Sequence, residues 1–327
     1  MNPEHIDIGL ARYSDWAFTT SIVVLVVALL LLAVELAYSR GRRVEQRELV
    51  AAGNGPTVAD TDGPGRVLDV PKRPVDERVG RAGLALVYVG IAMLGVCILL
   101  RGFATTRVPW GNMYEFINLT CFCGLVAAAI MLRRPQYRAL WAFVLLPVLI
   151  LLAVSGKWLY ANAAPVMPAL QSYWLPIHVS VVSLGSGVFL VAGVASILFL
   201  AKMSPLGAPD REGTLARVLQ RLPDAQTLDR IAYRATIFGF PVFGFGVIFG
   251  AIWAEEAWGR YWGWDPKETV AFIAWVIYAA YLHARSTAGW RDRKAAWINV
   301  AGFVAMVFNL FFINLVTTGL HSYAGVG

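Results

Sequence analysis

Apolar residues in this chain come in blocks instead of being scattered. Eight predominantly apolar runs, near residues 16–38, 83–101, 113–132, 139–156, 174–201, 234–253, 268–285 and 295–318, are each long enough to cross a bilayer, which takes about 20 helical residues. Lipid allows a crossing backbone only as a helix or a closed barrel, and the strand alternation of a barrel is absent. The pattern therefore predicts an all-α, polytopic membrane protein with about eight transmembrane helices. Residues 41–81 break it with Gly, Pro and mixed charge (Gly53-Asn-Gly-Pro56, Asp62-Gly-Pro-Gly65) and read as a poorly ordered linker. Two parts follow: residues 1–82, a first transmembrane helix (16–38) with a disordered cytoplasmic linker, and residues 83–327, a seven-helix membrane domain. Leu215, Val218, Leu219 and Leu222 share one helical face, as suits a short helix lying on the inner membrane surface. The sequence carries no evident internal repeat of the kind that marks an inverted-repeat transporter.

Charge orients these blocks. The connections 40–81, 133–138, 202–234 and 285–294 hold 22 of the 28 Lys and Arg residues. The remaining six are Arg12, Arg101, Arg107, Lys157, Arg260 and Lys267. By the positive-inside rule the first set is cytoplasmic, which puts both termini outside, together with the connection between helices six and seven. The net charge of +7 is then a consequence of topology, and no nucleic-acid module accompanies it. The first apolar run is too long for a signal-peptide core and its basic cluster follows it, so it reads as an inserted helix and not as a cleavable leader. Cys97, Cys121 and Cys123 all fall inside predicted spans and read as small buried hydrophobes. A Cys-x-x-Cys-His segment, the attachment site for covalent haem, is missing from the chain.

The outward connection Trp253 to Glu268 is unlike the rest. It carries Trp253, Trp258, Trp262 and Trp264 within twelve residues, together with Arg260 and Tyr261. Such a loop is either an interfacial aromatic belt or a platform for a flat, apolar ligand. Asp265-Pro-Lys-Glu268 has the form of a capping box with Pro at the first helical position, so both carboxylates read as helix caps before catalysts. The cap at Asp265 turns a helix N-terminus toward the loop, where it would favour anionic groups of a ligand, and Arg260 and Lys267 could pair with the same groups. His178 lies near the outer end of the fifth run and His321 beyond the outer end of the eighth, both at the level of the loop. Two imidazoles flanking aromatic faces are what a bis-histidine haem requires. His283 lies seventeen residues beyond Pro266, where the seventh span starts outside, about 25 Å deeper at 1.5 Å per residue, and marks a separate site if it is functional. Glu115 is placed at the outer end of the third span, where it either snorkels or faces protein.

Trp258-Gly-x-x-Trp262-x-Trp264-Asp265-x-x-Glu268 closely resembles the WWD signature of haem-handling membrane proteins. The chain from the second span onward is similar to the CcsA/ResC family of system II cytochrome c biogenesis, labelled CcsB in some bacteria, and Gly111-Asn-Met-Tyr-Glu115 is similar to a motif of that family. The resemblance implies His178 and His321 as ligands of an external haem iron, and His283 as a ligand of an intramembrane one. It implies that Trp253, Trp258, Arg260, Tyr261, Trp262, Trp264 and Asp265 hold the cofactor. It also implies a cargo of reduced haem b in transit, a ResB-type membrane partner and an apocytochrome c substrate, in a bacterial plasma membrane or a thylakoid membrane, with the WWD loop on the outer face. No residue need act as nucleophile, because the substrate's thiolates do so and positioning supplies much of the rate. Three functions are in play: a cytochrome c synthase subunit, a haem transporter that hands haem to a separate ligase, and a non-haem transport protein with an aromatic belt.

Overall fold

The computed structural model describes residues 6–51, 74–166, 170–208 and 211–313. His5 and His321 lie outside the described residues, as does the centre of the predicted linker. Among the described residues the chain forms nine α-helices: α1 (Ile8–Ala51), α2 (Val75–Thr105), α3 (Met113–Met131), α4 (Trp141–Trp158), α5 (Trp174–Met203), α6 (Thr214–Arg221), α7 (Ala225–Trp258), α8 (Pro266–Ser286) and α9 (Arg293–Phe308), which runs into a π-helical turn, Asn309–Ile313. No strand occurs among the described residues. Seven helices (α1 to α5, α7 and α9) are long and apolar enough to cross a membrane. The seventh predicted run is also helical, as α8, but it falls outside that set. It carries Lys267, Glu268, His283 and Arg285, which dilute its apolar character.

Two other expectations change in detail. The linker is shorter than the composition suggested, since α1 runs on to Ala51 and α2 begins at Val75. Residues 43–50 are mostly Arg, Glu, Gln, Leu and Val, largely good helix formers, and Asp76 and Glu77 suit the first turn of α2. In α6 the inward face is Ala216 and Leu219, continued by Leu222, whereas Leu215 is exposed. Lys202 fixes that rotation by donating to the carbonyls of Leu219 and Leu222 at 3.2 and 2.7 Å.

α5 is the central helix. It meets α3 where Gly187 lies against Gly124, α7 where Gly185 lies against Phe243, and α9 where Gly193 lies under Phe303. Lipid supplies no hydrophobic drive between helices, so close approach at small residues is what holds such crossings together.

Contacts sort the connections onto two ends. At one end Asp7 N–H donates to the Ala104 carbonyl (2.9 Å), Tyr160 to Asp15 (2.8 Å) and Ser172 to Glu256 (2.8 Å). At the other, Arg138 pairs with Glu35 and Arg285 with Asp229 (2.6 Å). The sparsely and the heavily basic connections are thus segregated to opposite ends of the bundle.

Candidate functional site

His178 sits on the second turn of α5 and is held from α7. Its Nδ1 lies 2.7 Å from the Gly246 carbonyl oxygen. A carbonyl can only accept, so Nδ1 carries the hydrogen; in the neutral ring the lone pair then falls on Nε2, the tautomer in which a histidine ligates metal through that nitrogen. The ring stacks on Trp253, with centroids 6.0 Å apart and planes 13° apart. One turn beyond Gly246, Gly250 makes the approach possible: a Cβ there would lie 2.6 Å from His178 Cε1.

Beside this imidazole is a cavity of about 350 Å³ whose lining includes His178, Trp253, Tyr261, Trp262, Phe243 and Phe303. That volume is in the range of small-molecule and cofactor sites. Its walls are overwhelmingly apolar, and the start of α8 contributes the charged residues Lys267 and Glu268 to them. A flat apolar ring system with one metal to ligate and acidic groups at one edge fits this donor set.

The WWD segment builds one end of the wall. Gly259, at φ +70°, ends α7 and donates its N–H to the Glu255 carbonyl (2.7 Å), a conformation that favours glycine. Asp265 caps α8 by accepting from Lys267 N–H (3.0 Å), and Glu268 accepts from Asp265 N–H (3.1 Å) and Gly263 N–H (2.9 Å). The capping box is therefore complete. Trp264, between the two donors to Glu268, is held at φ +56°, which is costly for a residue with a Cβ.

The aromatic residues of the motif do not share one role. Trp253 (1% exposed), Trp262 and Tyr261 line the cavity. Trp258 lies behind Trp253, edge to face at 4.8 Å. Trp264 is 67% exposed and packs edgewise on Trp262 and Phe272 outside the cavity lining. Arg260 is exposed and lays its guanidinium across Gly263. Asp265 is engaged in the cap.

His283 is far from this cavity. It lies in the last turns of α8 on an exposed face, in register with Ile273, Val276 and Ala280, which are also exposed. That face points away from the other described helices. The cysteines are free, with Cys97 and Cys121 buried.

Sequence reading missed the floor of the cavity. His178, Val182, Ser186 and Leu190 form a stripe down α5 at four-residue spacing, and Phe243, Val247, Gly250 and Ala254 form another down α7. The spacing is visible in the sequence, but helices that are apolar all round hide which stripe faces a cavity.

Residues 110–321 match the family described as "Cytochrome C assembly protein". The chain belongs to that family. Its relatives in it include the cytochrome c biogenesis protein CcsA of Gloeobacter violaceus, 34% identical over 71% of this chain and 84% of the relative. CcsA of Gloeothece citriformis is 35% identical over 77% and 89% of the two chains. Among solved structures, the cytochrome c haem lyase CcmF shares the fold with a TM-score of 0.60 at 17% identity; the match covers 96% of this chain but only 48% of that one, so the chain spans about half its length. Family and helices together make this member an integral membrane protein of the CcsA type.

Proposed function

We propose that this CcsA-type protein presents haem at the outer face of the membrane for covalent attachment to apocytochrome c. The observation that carries the reading is the hold of the Gly246 carbonyl on His178 Nδ1, which makes Nε2 the ligating nitrogen of the neutral ring, in a histidine that lines an apolar cavity walled by Trp253 and Trp262. His178 and His321 would take the two axial positions of the iron. Tyr261 and Trp262 would lie against the porphyrin, and Lys267 would meet a propionate. The chain then leaves an edge of the ring to the substrate. There each thiol adds across a vinyl group, the sulfur bonding to one carbon and the proton going to the other, so the protein itself need only orient the partners.

His283 supports a second, intramembrane haem site. Imidazole at an exposed position on a membrane helix is costly unless it is partnered, and its face offers no second histidine among the described residues. A ResB-type protein packed on α8 would supply that ligand and would also cover α8, which is less apolar than the other long helices. Basic residues concentrated at the opposite end of the bundle support eight spans with the WWD loop outside; the membrane itself we take to be a bacterial plasma membrane, with a thylakoid membrane as the alternative. Haem b in its reduced form is the cargo on this reading.

The test is a holocytochrome assay in cells expressing only this protein and its ResB-type partner. Thioether-linked cytochrome c is the expected product. Haem that is bound and exported without thioether formation would reduce the protein to a carrier.

A further inference from the structure

Four charged side chains are gathered on α1, α2, α3 and the turn after α2, at the same end of the bundle as His178. Glu115 is almost fully buried, its side chain 1% exposed. It accepts from Arg101 Nε at 3.2 Å, from Arg107 Nη1 and Nη2 at 3.0 and 3.3 Å, and from Gly111 N–H at 2.7 Å. Arg101 also lies 3.6 Å from Asp15, whose other oxygen accepts from Tyr160 at 2.8 Å. Burial, with the bond to Asp15, pushes the Tyr160 phenol above its usual range, which keeps it a donor. Two cations and two anions thus balance.

Buried ion pairs contribute little net stability, and charge inside a membrane bundle usually serves function. The remaining donors show where this group acts. Arg101 Nη2 donates to the Ala161 carbonyl, and Arg107 donates to the Ala164 carbonyl from Nε (3.1 Å) and Nη2 (2.9 Å). Both carbonyls belong to the connection between α4 and α5. Two residues on, Val166 fits against Gly111 so closely that a Cβ on the glycine would lie 2.6 Å from it. Trp110 and Gly111 in turn wall a small cavity, about 80 Å³, that shares His178, Trp253 and Phe116 with the larger one.

We infer that Glu115 is a positioning residue for the His178 site: through Gly111 N–H, Arg101 and Arg107 it fixes the outer wall against which His178 and Trp253 are set. The inference rests on His178 being an iron ligand. It adds a second anchor to that ligand, from α3, where Gly246 on α7 supplies the first. Glu115→Gln keeps the shape but removes the carboxylate that Arg101 and Arg107 share, leaving Asp15 beside Arg101 alone. Arg107→Ala cuts the tie to Ala164 and leaves the Arg101–Glu115 pair in place.

The experiment uses the full chain, co-expressed with its partner, and has two readouts. In a Val166→Cys background, maleimide labelling of the half-buried thiol should accelerate about tenfold or more in both variants, because removing one partner of a buried pair frees the segment it held. The outer haem should shift from a uniform bis-histidine spectrum to a mixture with a high-spin component, and should bind external imidazole faster, while His283-dependent haem is unchanged. Labelling and spectrum both unaltered in the two variants would overturn the inference. So would faster labelling with an unaltered outer haem, because the group would then hold only the connection. If Glu115→Gln fails to insert, Arg107→Ala decides alone. An outer haem that survives His178→Ala would instead remove the ligand assignment, a separate result.

Discussion

His178 owes its orientation to a residue 68 positions away, and that distance sets what sequence reading could see. The histidine, its depth and its neighbouring tryptophans were legible, because they depend on helix rise and on where apolar runs end. The carbonyl that fixes its tautomer was not, since nothing local to Gly246 or Gly250 marks them as its cradle. Gly250→Val tests the cradle directly: the added Cβ would lie 2.6 Å from the imidazole and should displace it. We expect haem content at the outer site to fall severalfold while the protein still inserts, measured as haem per polypeptide after purification. The cap on α8, by contrast, was readable, because a capping box is written within four residues. Asp265→Ala should lower the stability of the purified protein by about 1 kcal/mol, whereas Asp265→Asn should be nearly neutral, as followed by thermal unfolding in detergent. Trp264 shows the opposite case. Its place in the motif suggested contact with the cofactor, and nothing local to it foretold the φ of +56° or the exposed indole packed edgewise on Trp262 and Phe272.

At the scale of elements, helices were found where the apolar runs lie, and boundaries moved where composition is ambiguous. α1 outlasts its apolar run because the charged residues after it are themselves good helix formers. α8 was found by position and cap, although its composition is the least membrane-like of the long helices. Its exposed stripe, Ile273, Val276, Ala280 and His283, gives the clearest prediction at this level. His283→Ala should deplete one haem and leave the His178 site spectrally intact, and imidazole added to the membranes should restore the lost signal. Haem content equal to that of the wild type would make His283 a structural residue. Val276→Cys should cross-link to the ResB-type partner and not within the chain.

For the whole molecule, the distribution of basic residues and the contacts at each end agree that the connections form two sets. The sequence could separate the sets, because charge bias is local to each connection. It also put the aromatic connection, the α2–α3 turn and the connection after α4 on one surface, but which of their side chains meet around His178 depends on how α3, α5 and α7 cross at their glycines. Labelling with a membrane-impermeant thiol reagent checks the orientation. Tyr261→Cys should react in intact cells and Arg291→Cys only after lysis; the reverse order would invert the topology and move haem delivery to the other side.

Haem held by His178 beside the WWD cavity is the central requirement of the proposed function. The most direct test is the reduced-minus-oxidised spectrum of the protein purified with its partner, compared between wild type, His178→Ala and His321→Ala. Two haem populations are expected in the wild type, with the outer one weakened or oxidised in either variant and the His283-dependent one retained. Spectra identical in all three, or a wild-type protein that carries no haem and cannot be loaded with it, would contradict the account.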